Sequence, residues 1–388
     1  MKQRIFIFAF LAAVVGSTFT AFAGKYVDIK LKVDGRERTG VLFLPTGLRA
    51  NTPIVTCVHG YGGTANPKHF DLDPVAEREG FAVLYPQGLK DPKGHPGFNV
   101  GYPNQKDMGV DDVKMLSKMT QYVQKKYNLS KENAFLTGMS NGGDICYLAA
   151  LEGQKTFKAL APVAGLAFTW FYKKYAMTNP HPVPLFEIHG TEDRVSEWWG
   201  DPEGKGGWGP YLSVPMAVNY WVARNGCHIE KRDTIKSKDA NSKHYIIRHF
   251  YSGGKGDNDV WLYEVVGASH CWHNGDINTG EEIWKFFKRC TRSYTVIWVA
   301  NSWVINISAR VTYIFFHCYF LLAWIYLLYT SQTFDERLRE KVPNIFTKSC
   351  AAGIIRIYQK HGVQLMKKHL FLTGVSGIGK TTLIRQAL

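Results

Sequence analysis

Short runs of consecutive apolar residues, each running into glycine or a turn, alternate along this chain with stretches of helical periodicity. "PIVTCVHG" (53–60), "FAVLYPQG" (81–88), "NAFLTG" (133–138), "ALAPVAG" (159–165) and "VPLFEIHG" (183–190) are short enough for strands. Runs this continuous suit strands buried on both faces. Between them, "GVDDVKMLSKMTQYVQKKYNLS" spaces Val110, Val113, Met119 and Val123 near one helix face, with acids in its first turn. A second helix, rich in small apolar residues, is predicted from Gly142 to Leu151. "YIIRHFYSGGKGDNDVWLYEVVG" reads as two strands about a Gly/Asp turn, and "GEEIWKFFKRC" as a closing helix. Strands alternating with helices predict an α/β class fold, with a mostly parallel sheet covered by helices on both faces.

After Cys290 the texture changes. Ser293–Thr330 is crowded with Trp, Tyr, Phe and Ile, and Val311–Phe334 holds no Asp, Glu, Lys or Arg. "VTYIFFHCYFLLAWIYLL" (311–328) has the length of a membrane span. At the other end Lys2 and Arg4 precede an apolar run from Ile5 to Val15 and an Ala21-Phe22-Ala23 cleavage pattern, the layout of a secretory signal peptide. The expected organisation is therefore a signal peptide over 1–23, a domain over 24–290, an apolar segment over 291–334 and a further fragment over 335–388. Export would permit disulfides among Cys57, Cys146, Cys227, Cys271 and Cys290, with the connectivity open.

Charge narrows the reading little. The chain's net charge of +15 suggests a polyanion partner, yet residues 24–290 carry 33 basic and 29 acidic residues, whereas residues 291–388 carry 12 and 3. The basicity belongs mainly to the tail, and no nucleic-acid partner is expected for the large segment.

The chemistry centres on "FLTGMSNGGD". A strand runs into Gly138-Met139-Ser140-Asn141-Gly142 and then a helix, which is G-x-S-x-G in the setting of a nucleophile elbow. Side chains at the two glycines would collide with neighbouring backbone in so tight a turn. A serine hydroxyl needs a base to take its proton, and the partners of such an elbow follow as acid, then histidine. Asp193 in "LFEIHGTEDRV" follows a strand, with Glu192 and Asp201 as competitors. His270 in "VVGASHCWHNG" follows the last strand, with His273 and His189 as competitors; His189, at a strand end, reads as a packed structural histidine. Backbone N–H groups for an oxyanion are expected from Asn141 and from Tyr61 of the His59-Gly60-Tyr61-Gly62-Gly63 loop.

Nine blocks, "CVHGYGGT", "LYPQG", "GVDDV", "FLTGMSNGGD", "APVAG", "IHGTED", "YWVARNGC", "GASHCW" and "GEEIWKFF", stand in the order of the secreted esterase family that comprises polyhydroxybutyrate depolymerases, LpqC-like esterases and feruloyl or acetylxylan esterases. The chain resembles that family over about residues 28–290. The resemblance implies an α/β-hydrolase fold and a secreted serine esterase with Ser140, Asp193 and His270 as triad, and the histidine two residues before Trp272 selects His270 over His273. It departs from the family at Asp144, where an apolar residue is usual, and at His273, where a proline is usual. Asp144 is expected to place a charge near its helix N-terminus. The insert "EWWGDPEGKGGWGPYL" is unusually aromatic, and Trp198, Trp199, Trp208, Tyr211 and Trp272 are expected either to offer flat faces to a feruloyl group or a sugar ring, with Trp198, Trp199 and Trp272 foremost, or to pack beneath a long loop. No metal or cofactor is required. The implied partner is an ester substrate, polymeric or plant-derived: a polyhydroxyalkanoate, or feruloyl or acetyl esters of plant polysaccharide.

The tail carries a second signal. Gly374-Val375-Ser376-Gly377-Ile378-Gly379-Lys380-Thr381 matches G-x-x-x-x-G-K-[ST] after the strand-like "HLFLTG", with Gly374, Gly379, Lys380 and Thr381 as the phosphate-binding positions. It resembles the start of small P-loop nucleoside triphosphatases, but seven residues follow Thr381 and no Walker B acid is among them. The expectation is translated non-coding sequence after about residue 291 followed by the first exon of a neighbour, without nucleotide hydrolysis. The alternative is a membrane-anchored nucleotide-binding protein, spanning at 311–328, whose lumenal domain only binds glycans.

Overall fold

The computed structural model describes residues 24–178 and 181–291, together with the backbone of two short strands beyond them. The signal-peptide pattern, the 311–328 segment and the P-loop sequence lie outside the described residues. The chain divides into units 1–292 and 293–388; within the second, Val296–Ala300 and Trp303–Ile307 pair antiparallel.

In the first unit the strands and helices follow in chain order: β1 (Lys25–Val33), β2 (Arg36–Leu44), β3 (Ile54–Val58), α1 (Leu72–Glu79), β4 (Ala82–Pro86), the short pair β5 (Leu89–Lys90) and β6 (Pro96–Gly97), α2 (Asp112–Tyr127), β7 (Ala134–Met139), α3 (Asn141–Glu152), β8 (Ala159–Val163), α4 (Thr169–Tyr175), β9 (Leu185–Gly190), α5 (Val214–Asn225), β10 (Ile229–Lys236), β11 (Tyr245–Ser252), β12 (Val260–Val266) and α6 (Thr279–Cys290). All but β5 and β6 form one ten-stranded sheet in the order β1-β2-β4-β3-β7-β8-β9-β12-β11-β10. The six strands from β4 to β12 are parallel, and antiparallel hairpins close both edges.

Every apolar run read as a strand is one. β3, β4, β8 and β9 are buried along their whole length, because helices cover both faces. On one face Met115, Leu116 and Met119 of α2, Ile145 and Leu148 of α3, Phe171 of α4 and Trp221 of α5 form one core. On the other, Leu72 and Val75 of α1 meet Ile283, Trp284 and Phe287 of α6. Alternation sends Ile54 and Val58 into the first core and Val55 and Cys57 into the second. The edge strands β1, β2 and β10 and the helices α1, α4 and α5 were not marked by the apolar runs. β10 is exposed at nearly every position, so its sequence carries no burial signal.

The five described cysteines are free thiols; no disulfide forms among the described residues. Cys57 and Cys146 are buried, and burial pushes both thiols up. Among the described residues no helix is long and apolar enough to cross a membrane.

One buried ion pair ties the β2 edge to α2. Arg38 Nη2 donates to Asp112 Oδ1 at 2.6 Å with both side chains almost fully buried, and Asn99 N–H donates to Asp112 Oδ2 at 2.6 Å. Removing one member strands the other charge. Asp112→Ala is expected to cost about 3–5 kcal/mol in denaturant unfolding, and the double change Arg38→Met, Asp112→Leu markedly less than the single one.

Candidate active site

Parallel strands share one carboxyl edge, and ligand sites of open α/β sheets gather there. The loops after β3, β7, β9 and β12 carry His59–Gly63, Ser140, Asp193 and His270 along this edge. Backbone bonds stitch the strand ends together: Ser140 N–H donates to Val163 O at 2.9 Å, Ala164 N–H to Ile188 O at 2.9 Å and Glu192 N–H to Ala268 O at 3.0 Å.

Ser140 stands between β7 and α3 at φ 57° and ψ −121°. A non-glycine residue held there stores about 1–3 kcal/mol of strain. Two bonds enforce the bend, from Gly143 N–H (2.6 Å) and Asp144 N–H (2.8 Å) to Ser140 O. The motif glycines have the steric reason expected of them. A Cβ on Gly142 would lie 2.2 Å from Val58 O, and one on Gly138 2.6 Å from the same atom. The Ser140 side chain is half-buried, and its hydroxyl makes no hydrogen bond among the described residues; such contacts are often long before substrate binds.

Asp193 and His270 are joined directly. His270 Nδ1 lies 2.7 Å from Asp193 Oδ2. A carboxylate accepts, so Nδ1 carries the hydrogen and Nε2 keeps its lone pair in the neutral ring. Asp193 Oδ1 accepts from Val195 N–H and Ser196 N–H, both at 2.8 Å. Burial alone would raise this carboxyl, but His270, and after it His189 and the Ser196 N–H, hold it below its ordinary value.

The competitors occupy other roles. Glu192 is exposed. Asp201 accepts from Gly206 N–H at 2.8 Å and holds its own loop. His189 is buried between Glu187 Oε1 (2.7 Å) and Ser196 O (2.7 Å). His273 is buried at φ 63°, its Nδ1 lying 3.3 Å from Cys271 Sγ and its Nε2 without a partner. Burial lowers it to about 4.

Tyr61 and Asn141 come together around one backbone position. A Cβ on Gly97 would lie 3.1 Å from Tyr61 Cδ2 and 3.2 Å from Asn141 Oδ1. The Asn141 amide clasps Phe98 on both sides, accepting from its N–H (2.7 Å) and donating to its carbonyl (3.0 Å). As the first residue of α3, Asn141 has a backbone N–H with no acceptor within the helix. Gly60 approaches the serine, since a Cβ there would stand 3.3 Å from Ser140 Cβ. His59 fixes the loop: Nε2 accepts from Gly88 N–H at 3.0 Å, which leaves Nδ1–H to donate to Gly60 O at 2.7 Å. Burial lowers its pKa, in keeping with a neutral ring.

Three expectations change. Asp144 is fully buried, accepts from Tyr102 O–H (2.5 Å) and Leu166 N–H (2.6 Å), and is raised by burial to about 8. At neutral pH it is mostly uncharged, so it braces the segment after β8 rather than adding charge at the helix end. Trp198 is 5% exposed and Trp272 6%. Trp272 donates to Asp71 Oδ1 at 2.8 Å and meets Phe70 edge-on; Trp198 lies against His189. Neither presents a free face, whereas Trp199 is 77% exposed. Trp208, also among the expected aromatics, contacts Tyr61 and Tyr102 with centroids 5.7 and 5.0 Å apart. The sequence flagged the aromatic insert but not which ring reaches the edge.

Residues 39–177 match the family model described as "Esterase PHB depolymerase". Among curated proteins, a bifunctional acetylxylan esterase/xylanase of Neocallimastix patriciarum is 25% identical over 69% of this chain and 35% of its own. Poly(3-hydroxyalkanoate) depolymerase C of Paucimonas lemoignei is 22% identical over 46% of this chain and 41% of its own. Feruloyl esterase B of Neurospora crassa is 28% identical over 40% of this chain and 53% of its own. The chain thus spans between a third and about half of the length of these relatives.

Because His273 titrates near 4 in the fold against about 6.5 in an unfolded chain, the unfolded state binds the extra proton between those values. Stability should therefore be complete above about pH 6.5 and decline as pH falls toward 4. His273→Asn, which tolerates the positive φ, should make that decline shallower by up to one proton's slope, ~1.4 kcal/mol per pH unit, in unfolding free energy measured against pH. Parallel curves for parent and variant would remove His273 from the account.

Proposed function

We propose that the domain over residues 24–290 is a secreted carboxylic ester hydrolase working through an acyl-enzyme on Ser140. The observation that carries this reading is the conjunction of a strained Ser140 turn with a His270–Asp193 pair at 2.7 Å on neighbouring loops of one sheet edge. His270 Nε2 takes the Ser140 proton as Oγ attacks the ester carbonyl, and Asp193 holds the tautomer and stabilises the imidazolium. The Tyr61 and Asn141 backbone N–H groups receive the tetrahedral oxygen. His270 then protonates the departing alcohol, and water repeats the sequence on the acyl-enzyme. The family match and the three relatives support ester hydrolysis. The N-terminal leader pattern supports export. No nucleotide hydrolysis is assigned to the tail.

The substrate class follows the same support: acetyl or feruloyl esters of plant polysaccharide, or a polyhydroxyalkanoate. Trp208 beside Tyr61 and the exposed Trp199 are the aromatic faces suited to stacking on a sugar or feruloyl ring.

Ser140→Ala should lower kcat on a p-nitrophenyl ester by at least about 10³-fold, and Asp193→Asn by a comparable factor through the wrong tautomer. Near-normal turnover by Ser140→Ala would overturn the assignment. A panel of acetyl, feruloyl and hydroxyalkanoate esters separates the substrate classes by kcat/KM.

A further inference from the structure

Beside Asp193 lies a buried Glu187–His189 pair that the reaction above does not use. Glu187 and His189 are consecutive inward positions of β9, and their side chains are 0% and 1% exposed. His189 Nε2 is 2.7 Å from Ser196 O. A carbonyl can only accept, so Nε2 carries a hydrogen. His189 Nδ1 is 2.7 Å from Glu187 Oε1, a contact that holds one further proton. Tyr147 O–H donates to Glu187 Oε2 at 2.9 Å. Burial raises the Glu187 carboxyl. Burial also opposes charge on His189, but Glu187 and then Asp193 carry it above its ordinary value. The hydrogen bond that the Tyr147 hydroxyl donates to Glu187 favours residence of the shared proton on the imidazole. His189 Nε2 then lies 3.6 Å from Asp193 Oδ2, the oxygen that receives His270.

We propose that Glu187 and His189 are positioning residues for the ester-hydrolysing site, with the His189 imidazolium held by Glu187 against Asp193 and the Ser196 carbonyl. Two consequences follow. The Ser196 contact fixes the turn whose Val195 and Ser196 N–H groups orient the Asp193 carboxylate. The positive charge offsets part of the Asp193 field at the Asp193–His270 pair, so the pH dependence of turnover rests on Glu187 and His189 as well as on Asp193.

The other titratable groups around the pair are accounted for. On α3, Asp144 is mostly neutral at pH 7, and Cys146 and Tyr147 are pushed up by burial, as is Tyr172 on α4. In the β12–α6 loop, His273 is neutral and His270 pairs with Asp193. On β12, Glu264 is paired in register with His189 and engages His249 Nε2 at 2.7 Å.

This inference rests on the reading of Ser140, Asp193 and His270 given above, and its test separates the two. Full-length parent, His189→Gln, Glu187→Gln and Ser140→Ala are compared by the pH dependence of kcat/KM on a p-nitrophenyl ester. Functional sites are counted by titration with a fluorophosphonate. Glu187→Gln keeps the shape and hydrogen bonding while removing the charge that retains the proton, so it remains informative should His189→Gln fail to fold. The acid limb should move up by about one pH unit in His189→Gln, and in the same direction in Glu187→Gln, with kcat per titrated site reduced about tenfold and KM little changed. Fewer functional sites with an unshifted acid limb in Glu187→Gln would reduce the pair to structural packing and overturn the inference. Undiminished turnover by Ser140→Ala would instead overturn the reading beneath it.

Discussion

The structure depends on one strained residue. Ser140 is held at φ 57° by the bonds its carbonyl receives from Gly143 and Asp144, and by the hydrogen bond from its own N–H to the end of β8. That bend can exist only where backbone replaces side chains. The loop after β3 passes so close to Gly142 that a single methyl there would meet Val58 O at 2.2 Å. The glycines, the parallel pairing of β3 with β7 and the first turn of α3 are one constraint seen from three sides. A compact core of whole-length buried strands supplies the rigidity needed to maintain it.

Around that residue the sheet edge collects polar groups in two layers. One layer holds Ser140 and His270, whose Nε2 has no hydrogen-bond partner among the described residues. The other holds Asp193 by two backbone N–H groups, the His59 ring by Gly88 N–H and Gly60 O, and Glu187 with His189 beside the Asp193 turn. Buried polar groups in the second layer find partners at hydrogen-bond distance, as a low-dielectric setting demands. His273 Nε2, buried without a partner, is the exception, and it is held neutral by its surroundings.

Much of this was legible in the sequence because it follows from short-range necessity. Continuous apolar runs marked the central strands, since a strand covered on both faces admits a polar side chain only where a buried partner meets it, as Glu187 and His189 meet in β9. G-x-S-x-G marked the elbow because only glycine fits beside Val58 O. What escaped was set by contacts distant along the chain. Asp144 reads as a helix-end charge until Tyr102 and Leu166 are seen to enclose it. Trp198 and Trp272 read as stacking surfaces until burial removes their faces, while Trp208 reaches Tyr61 across 147 positions of sequence. β10, exposed along its length, owes its strand state to pairing with β11 and carries no pattern of its own.

The central claim is that one hydroxyl on this cramped turn is the group that becomes acylated. Treating the folded protein with a fluorophosphonate, digesting it and mapping the modified peptide by mass spectrometry tests this directly. A single phosphonyl adduct on Ser140, abolished by prior acid unfolding of the chain, is the predicted result. An adduct on another serine, or none on a protein that turns esters over, would contradict it.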